Sequence, residues 1–145
     1  MISGESIYRR FDFKPGRKLP EGAIPCQEKA DPITGHFPHW VLCDENNPND
    51  KYHIAAFKEM VIIKNGTYEL IGKHFQGNPY NIDYDVLLKH GNSVLLSVPR
   101  TYEGIRDYLE RRYDIEGIVF YRGNGEMCKI KRSDFGFEWN KKGGK

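Results

Sequence analysis

Apolar residues in this chain recur in short runs separated by glycine and proline, a pattern typical of short strands joined by turns. Asn-Gly dipeptides between two such runs indicate a two-residue type I′ hairpin, because both central residues of that turn need positive φ. Asn65-Gly66 stands between residues 60–64 and 67–71, and Asn124-Gly125 stands between residues 118–121 and 127–131. The sequence therefore predicts two β-hairpins.

Helical spacing occurs in two segments. Thr101 fits an N-cap, and apolar side chains at 102, 105, 108 and 109 then predict a helix to about Arg112. A weaker pattern predicts a second helix over residues 53–59. Further strands are predicted over 84–89 and 93–98, and the stretch 14–38, rich in proline and glycine, is expected to be a long loop. The predicted fold class is therefore α+β with mostly antiparallel sheets.

The second hairpin carries an unusual mixture of side chains. With a two-residue turn, Phe120 opposes Lys129 and Ile118 opposes Lys131, and opposed residues share a face. One face would then hold Glu116, Ile118, Phe120, Lys129 and Lys131, while the other, with Val119, Tyr121, Cys128 and Ile130, can be core. The first face suits an aromatic base and a phosphate. An exposed face with cross-strand ion pairs explains the same spacing.

Composition narrows the class of protein. A chain of 145 residues with 13% aromatic residues can close a core, and a net charge of +2 argues against a strongly basic or acidic tail. No apolar run reaches about 18 residues, and residues 1–5 lack a signal-peptide pattern. Three cysteines are an odd, sparse set that fits reduced thiols. We expect a cytoplasmic protein with no membrane partner.

Motifs along the chain carry a family resemblance. Residues 116–120 read Glu-Gly-Ile-Val-Phe, residues 129–131 read Lys-Ile-Lys, and residues 67–72 read Thr-Tyr-Glu-Leu-Ile-Gly. These resemble motifs IV, V and III of the covalent nucleotidyltransferases, which include ATP-dependent ligases and mRNA capping enzymes. Residues 31–40, 77–80 and 134–136 narrow the resemblance to the RNA ligase 1-like family of 5′-to-3′ RNA ligases. It extends from about Tyr8 to Trp139, and it implies a single nucleotidyltransferase-like domain over residues 1–145.

The resemblance implies a chemistry and a set of residues. In that family a lysine in a Lys-x-Asp-Gly motif attacks ATP to form lysyl-AMP, AMP passes to an RNA 5′-phosphate, and a 3′-hydroxyl displaces it. By match, Lys129 and Lys131 would contact the nucleotide phosphates, Glu69 its ribose, and Glu116 would hold Mg²⁺ or order the site. Arg10 matches the arginine of the motif after the nucleophile and would bind the nucleotide or an RNA phosphate.

The nucleophile motif of that family does not occur in this sequence, so no catalytic lysine is assigned. The nearest strings, at residues 29–32 and 64–66, do not fit, and nine residues before Arg10 are too few for the motif and its strand. We therefore expect a domain incomplete at its N-terminus, active as part of an ATP-dependent RNA ligase when an N-terminal fragment supplies the lysine. A non-catalytic nucleotide- or RNA-binding module is the alternative.

Two other patterns allow competing interpretations. A zinc site could use Cys26, His36, His39 and Cys43, but the spacings are irregular, and loop histidines with buried thiols are the simpler interpretation. A basic stretch interleaved with aromatics could follow an RNA backbone or be a solvated loop; it comprises Tyr8, Arg9, Arg10, Phe11, Phe13, Lys14, Arg17 and Lys18.

Overall fold

A computed structural model of the chain describes residues 1–14, 16–124 and 126–139. Its elements, in chain order, are β1 (Ile2–Ser3), β2 (Ser6–Phe13), β3 (Ile24–Pro25), β4 (Phe37–Leu42), α1 (Lys51–Lys58), β5 (Tyr68–Gly72), β6 (Asp85–Lys89), α2 (Tyr102–Arg111), β7 (Gly117–Tyr121) and β8 (Met127–Lys131). A short 3-10 helix, Arg132–Phe135, follows β8. All paired strands are antiparallel, which confirms a mixed fold with antiparallel sheets and few helices.

The chain divides into two compact units, the first covering Met1–Asn92 and the second beginning at Ser93. The prediction of a single domain over 1–145 stays a prediction. Within the described ranges, no helix has the combination of length and apolar character needed to cross a membrane.

The first unit is built on a four-stranded sheet with the order β1-β2-β4-β3. On its inner face Arg9 opposes Val41 and Phe11 opposes His39, and both β4 residues are buried. The adjacent residues of β2, Tyr8, Arg10 and Asp12, lie on the opposite face because side chains alternate along a strand. The register with β4 thus places Arg9 on the inner face and Arg10 on the outer face.

Helix α1 is joined to this sheet by a buried ion pair. Asp50, at the N-cap position of α1, is 1% exposed, and its Oδ1 lies 2.6 Å from Arg9 Nε. The N–H of Nε does not point along a hydrogen-bond direction to that oxygen, so the contact is an ion pair. Asp50 Oδ2 accepts a hydrogen bond from Asp44 N at 3.1 Å. The helix predicted over 53–59 is confirmed, and it begins two residues earlier, at Lys51.

The prediction of a hairpin at Asn65-Gly66 is wrong. Residues 60–64 form no strand, and β5 pairs with β6, placing Ile71 opposite Val86. The dipeptide binds the N-terminal residues instead: Asn65 Oδ1 accepts from Gly4 N at 2.8 Å, and Gly66 exchanges two backbone hydrogen bonds with Ile2. A short apolar run cannot be identified as a strand from periodicity alone. The strand predicted over 84–89 is confirmed as β6.

The second unit is organised around helix α2. Thr101 caps it as predicted, with Oγ1 accepting from Gly104 N at 3.2 Å, and Leu109 is fully buried. The strand predicted over 93–98 is wrong, since this stretch is irregular and its Val94 and Leu96 are exposed. Buried Arg132 donates through its guanidinium to the carbonyls of Leu109 and Arg112. A cation there suits the negative end of the helix.

Hairpin β7–β8 forms, but in a different register from the predicted one. Val119 opposes Lys129, Ile118 opposes Ile130, and Arg122 N donates to Glu126 O at 2.8 Å. Arg122 and Glu126 are thus the last bonded pair, and three residues, 123–125, separate them in the sequence. The prediction assumed a turn of two residues. Gly125 of the predicted turn lies outside the described residues. Because a one-residue slip reverses the pairing of faces, the predicted grouping of Ile118 and Phe120 with Lys129 and Lys131 is wrong.

Candidate functional site

The outer face of hairpin β7–β8 combines two lysines with exposed apolar side chains. Lys129 lies opposite Val119, and both are exposed. Next to them, Tyr121 opposes Met127, and these side chains are 58% and 64% exposed. Buried Ile118 and half-buried Ile130 form the inner face. The observed register thus keeps the lysines together and supplies them with a different apolar surface from the predicted one.

Glu116 joins these lysines despite the change in register. It precedes β7 and so is not bound by the alternation of the strand, and its Oε1 lies 3.4 Å from Lys129 Nζ. Gly117 then opposes Lys131 at a close approach: a Cβ on Gly117 would lie 2.3 Å from Ile130 O. The Glu116-Gly117 pair therefore presents a carboxylate to β8 while letting the two backbones meet.

The 3-10 helix fixes the end of β8. Asp134 Oδ2 accepts a hydrogen bond from the backbone N of Lys131 at 2.8 Å. This bond sets the direction in which the chain leaves β8, just beyond the side chain of Lys131. Asp134 belongs to the stretch that carried the family resemblance, so the sequence pointed to the residue without indicating its contact.

The side chains of Glu116, Lys129 and Lys131 suit a nucleoside triphosphate and a hard cation. Ammonium groups bind phosphate oxygens, and Glu116 supplies one carboxylate. Across the described part of the chain, no group of three or more His, Cys, Asp or Glu side chains could hold a metal ion. Mg²⁺ commonly takes one or two carboxylates together with substrate phosphates and water, so a lone Glu116 fits that ion when phosphates are bound.

Arg10 lies on the outer face of β2, in the first unit, directly opposite Trp40. Its Nε donates to Asp12 Oδ1 at 3.1 Å, and the same oxygen lies 3.0 Å from His36 Nε2. Desolvation of Asp12 works towards a higher pKa, but the hydrogen bonds from Arg10 and His36 hold the pKa of Asp12 below its ordinary value. The cluster places an arginine, an imidazole and an indole on one exposed face.

Glu69, also in the first unit, lies on β5 between two polar side chains. Gln76 Nε2 donates to its Oε1 at 2.6 Å, and His90 Nε2 lies 3.6 Å from its Oε2. Of the five predicted site residues, Arg10 and Glu69 therefore belong to the first unit, and Glu116, Lys129 and Lys131 to the second. Gln76 and His90 were missed by sequence reasoning because neither stands in a motif or at a spacing that links it to Glu69.

The residues considered for zinc are occupied in other ways. His39 is buried with Nδ1 3.0 Å from Phe37 O, and His36 contacts Asp12. Burial, reinforced by the charge of Asp50, raises the pKa of Cys43 to about 11. Cys26 is a free thiol whose pKa is raised, chiefly by burial. His36 lies in the loop before β4, as the simpler interpretation expects, whereas His39 lies within β4, and both thiols are half-buried.

Comparison with known proteins identifies the family. The sequence model of the RNA ligase 1 family matches residues 40–144, so the chain belongs to the RNA ligase 1 family. It is 26% identical to the RNA ligase 1 proteins of Pongo abelii and Rattus norvegicus, over 88% of this chain and 50% of each relative. Identity to RNA ligase 1 of Danio rerio is also 26%, over 72% of this chain and 42% of that protein. The chain thus spans about half the length of the curated relatives that it matches.

Proposed function

We propose that this chain is a nucleotidyltransferase-type domain that binds ATP and Mg²⁺ for joining RNA 5′-phosphate and 3′-hydroxyl ends. The lysine that becomes adenylated would come from an N-terminal piece carrying Lys-x-Asp-Gly. Membership of the RNA ligase 1 family and the names of its relatives support an RNA substrate. The observation that carries the proposal is the Glu116–Lys129 pair beside Lys131 on one exposed face.

The residues of that face would contact different parts of a bound nucleotide and its metal ion. Lys129 and Lys131 would bind phosphate oxygens, and their charge would offset the charge of the phosphates. Glu116 would hold Mg²⁺, which when bound polarises a phosphoryl oxygen towards attack. Glu116 Oε1 lies 3.4 Å from Lys129 Nζ, so the two side chains form an ion pair. An exposed pair of this kind is weak, so phosphate and metal can replace it at little cost.

Lys129→Ala tests this assignment. We expect the variant to weaken ATP binding by about tenfold, the effect of one charge-assisted hydrogen bond, and to leave the thermal unfolding midpoint unchanged. Isothermal titration calorimetry with ATP, carried out once with Mg²⁺ and once with chelator, measures how the ATP affinity depends on Lys129 and on the metal. We expect weaker binding in chelator because Glu116 would then lack its cation.

Arg122→Ala is the matched control, since it also removes a cation paired with a carboxylate of the same hairpin. Arg122 Nη1 lies 2.9 Å from Glu126 Oε2, beside the turn and away from Glu116. Unchanged ATP affinity in Lys129→Ala, or equal losses in both variants, would remove Lys129 from the site. Equal affinity with and without Mg²⁺ would remove the metal role of Glu116.

A non-catalytic RNA-binding module is the second candidate, favoured by the outer face of β2 and β4. There Arg10 and Trp40 lie directly opposite each other, and a cation beside an indole suits an RNA phosphate and a stacked base. Single-stranded RNA bound with equal affinity in the presence and absence of ATP, by a chain that shows no ATP binding, would favour this candidate over the ligase domain.

A further inference from the structure

Three aromatic rings of the second unit lie in a row between helix α2 and the 3-10 helix. The ring centroid of Tyr102 lies 5.3 Å from that of Phe135, and the Phe135 centroid lies 6.2 Å from that of Phe137. Aromatic pairs attract one another at centroid separations of roughly 4.5–7 Å. The three rings therefore form one packed assembly, which we call the aromatic row.

The inner end of the aromatic row is fixed by buried Arg132. Its guanidinium carbon lies 5.5 Å from the centroid of the Phe137 ring, and its Nε donates to Glu138 O at 2.9 Å. The same guanidinium donates to carbonyls at the C-terminal end of α2. One buried side chain thus holds the segment that carries Phe135 and Phe137 against the helix.

The outer end of the aromatic row is open to water. Tyr102 is the first residue of α2, and its side chain is 64% exposed. Its ring is tilted by 55° to the ring of Phe135, so Phe135 does not cover a whole face of it. A ring that is held by a neighbour and still exposes a face can stack on another planar ring.

Positive charge lies beside the aromatic row. Lys131 directly precedes the 3-10 helix, and Phe135 is the last residue of that helix. Because a 3-10 helix rises by about 2 Å per residue, the two residues are about 8 Å apart along its axis, within the span of one nucleotide. Arg100, which is exposed, lies two residues before Tyr102. Single-stranded nucleic acid matches both features, since its bases stack on aromatic rings and its phosphates bind cations.

We propose that Tyr102 stacks on the base at the 5′ end of the RNA, next to a 5′-phosphate bound by Lys131. The inference rests on the proposed function, in which that 5′-phosphate receives AMP and must therefore reach the lysines that bind the phosphates of ATP. Because every base has a π-face, a contact of this kind holds an RNA end without selecting its sequence.

The test measures the affinity of a short single-stranded RNA that carries a 5′-phosphate and a fluorescent label at its 3′ end, by fluorescence anisotropy. We expect Tyr102→Ala to bind this RNA about tenfold more weakly, an effect within the range for one stacked base. Its affinity for ATP, measured by calorimetry, should equal that of the wild type. Tyr102→Phe keeps the ring and should bind the RNA as the wild type does.

Two further variants separate stacking from packing. Tyr102→Leu keeps an apolar side chain against Phe135 but has no ring, so it should lose as much RNA affinity as Tyr102→Ala. Tyr113→Ala is the matched control, because it removes a tyrosine that is 76% exposed just beyond the other end of α2. This control should bind the RNA as tightly as the wild type.

The salt dependence of RNA binding separates stacking from charge. For single strands, each phosphate contact contributes about −0.7 to the slope of the logarithm of affinity against the logarithm of salt concentration. Tyr102→Ala should keep the wild-type slope because it removes no charge, whereas Lys131→Ala should make the slope shallower by about 0.7. RNA with a 5′-hydroxyl should bind the wild type more weakly, and Lys131→Ala should not distinguish the two RNAs.

Each contrary result has its own meaning. RNA affinity retained in Tyr102→Ala and Tyr102→Leu, or an equal loss in Tyr113→Ala, would overturn this inference and leave the proposed function standing. A matching loss of ATP affinity in Tyr102→Ala would also overturn it, because the ring would then stack on adenine. A wild type that binds RNA but no ATP would overturn the proposed function, and the Tyr102 variants would still decide the stacking contact. A wild type that binds neither would overturn both.

Discussion

Arg9 and Arg10 are neighbours in the sequence with opposite environments. Arg9 points into the first unit and pairs with Asp50, whereas Arg10 stays on the outer face opposite Trp40. Alternation along a strand requires that one of two adjacent side chains faces inward. It does not say which, and both residues are arginines. The sequence could therefore identify only a basic stretch here, and the register with β4 is what assigns Arg10 to the exposed face.

Removing one partner of the buried pair should destabilise the first unit strongly. Asp50→Ala would leave the Arg9 cation without its counterion and Asp44 N without its acceptor. We expect the free energy of unfolding to fall by about 3 kcal/mol, a typical cost for breaking a buried ion pair. Denaturant titration measures the loss.

Glu45→Ala provides the matched comparison, because its pair with Lys58 is closer to water, with both side chains mostly exposed. The free energy of unfolding of this variant should be close to that of the wild type. Similar losses for both variants would mean that burial does not set the strength of the Arg9–Asp50 contact.

His53 should make stability depend on pH. Burial lowers its pKa, and within the described residues its buried Nδ1 has no hydrogen-bond partner. In the unfolded chain His53 becomes protonated as the pH falls to about 6.5 and below. In the folded chain it stays neutral to a lower pH, so acid favours the unfolded chain. The free energy of unfolding should thus decrease as the pH falls from 7 towards 5, and His53→Phe should flatten that decrease. Thermal unfolding midpoints across this range measure both slopes, and parallel slopes would exclude His53 as the cause.

At the scale of elements, the sequence predicted the helices better than the pairing of strands. Helix α2 carries its own signal, a threonine cap followed by apolar residues at helical spacing, and both are confirmed. Pairing depends on residues distant in sequence. Asn65-Gly66 has the pattern of a turn but binds Ile2 and Gly4, and a third turn residue displaces the β7–β8 register by one position. Local patterns do not contain that information.

Gly104, inside helix α2, should resist a substitution that helix propensity favours. Alanine normally stabilises a helix by about 1 kcal/mol relative to glycine. Here a Cβ would lie 2.6 Å from Pro99 Cβ and 2.9 Å from Thr101 Oγ1, the capping oxygen. We expect Gly104→Ala to lower the thermal unfolding midpoint.

Gly123→Ala is the control in the same unit, since nothing lies within 4 Å of a Cβ built there. Its midpoint should change little. A Gly104→Ala variant that is as stable as the wild type would show that Pro99 can move away without loss of the cap.

For the whole molecule, the proposal makes a prediction about covalent chemistry. The Lys-x-Asp-Gly motif does not occur in these 145 residues. We therefore expect the purified chain to gain no AMP after incubation with ATP and Mg²⁺, as measured by intact mass. A peptide that carries the motif, added in trans, should gain AMP only when the chain is present. AMP on the chain itself would mean that one of its own lysines is the nucleophile.

Motifs in the sequence predicted the family, but they did not predict which other residues contact the motif side chains. The stretches around Glu69, Glu116 and Lys129 are contiguous in sequence, and contiguity is what a motif records. Gln76 and His90 approach Glu69 only because β5 and β6 fold back on each other. Arg132, next to Lys131, donates hydrogen bonds to the carbonyls of Leu109 and Arg112, which lie at least 20 residues earlier in the sequence. Residues that support a site are long-range in sequence, and a single sequence does not reveal them.

The unpaired segment after α1 has a consequence for the protein in concentrated solution. Val61 is 97% exposed and Ile62 68%, with Ile63 beside them, and none has a strand partner. Consecutive β-branched residues of this kind are the composition from which cross-β assemblies grow. Glu59 and Lys64 flank the run and act as gatekeepers, because stacking identical chains in register would bring like charges together. Replacing both flanking charges should therefore make the chain more prone to self-association.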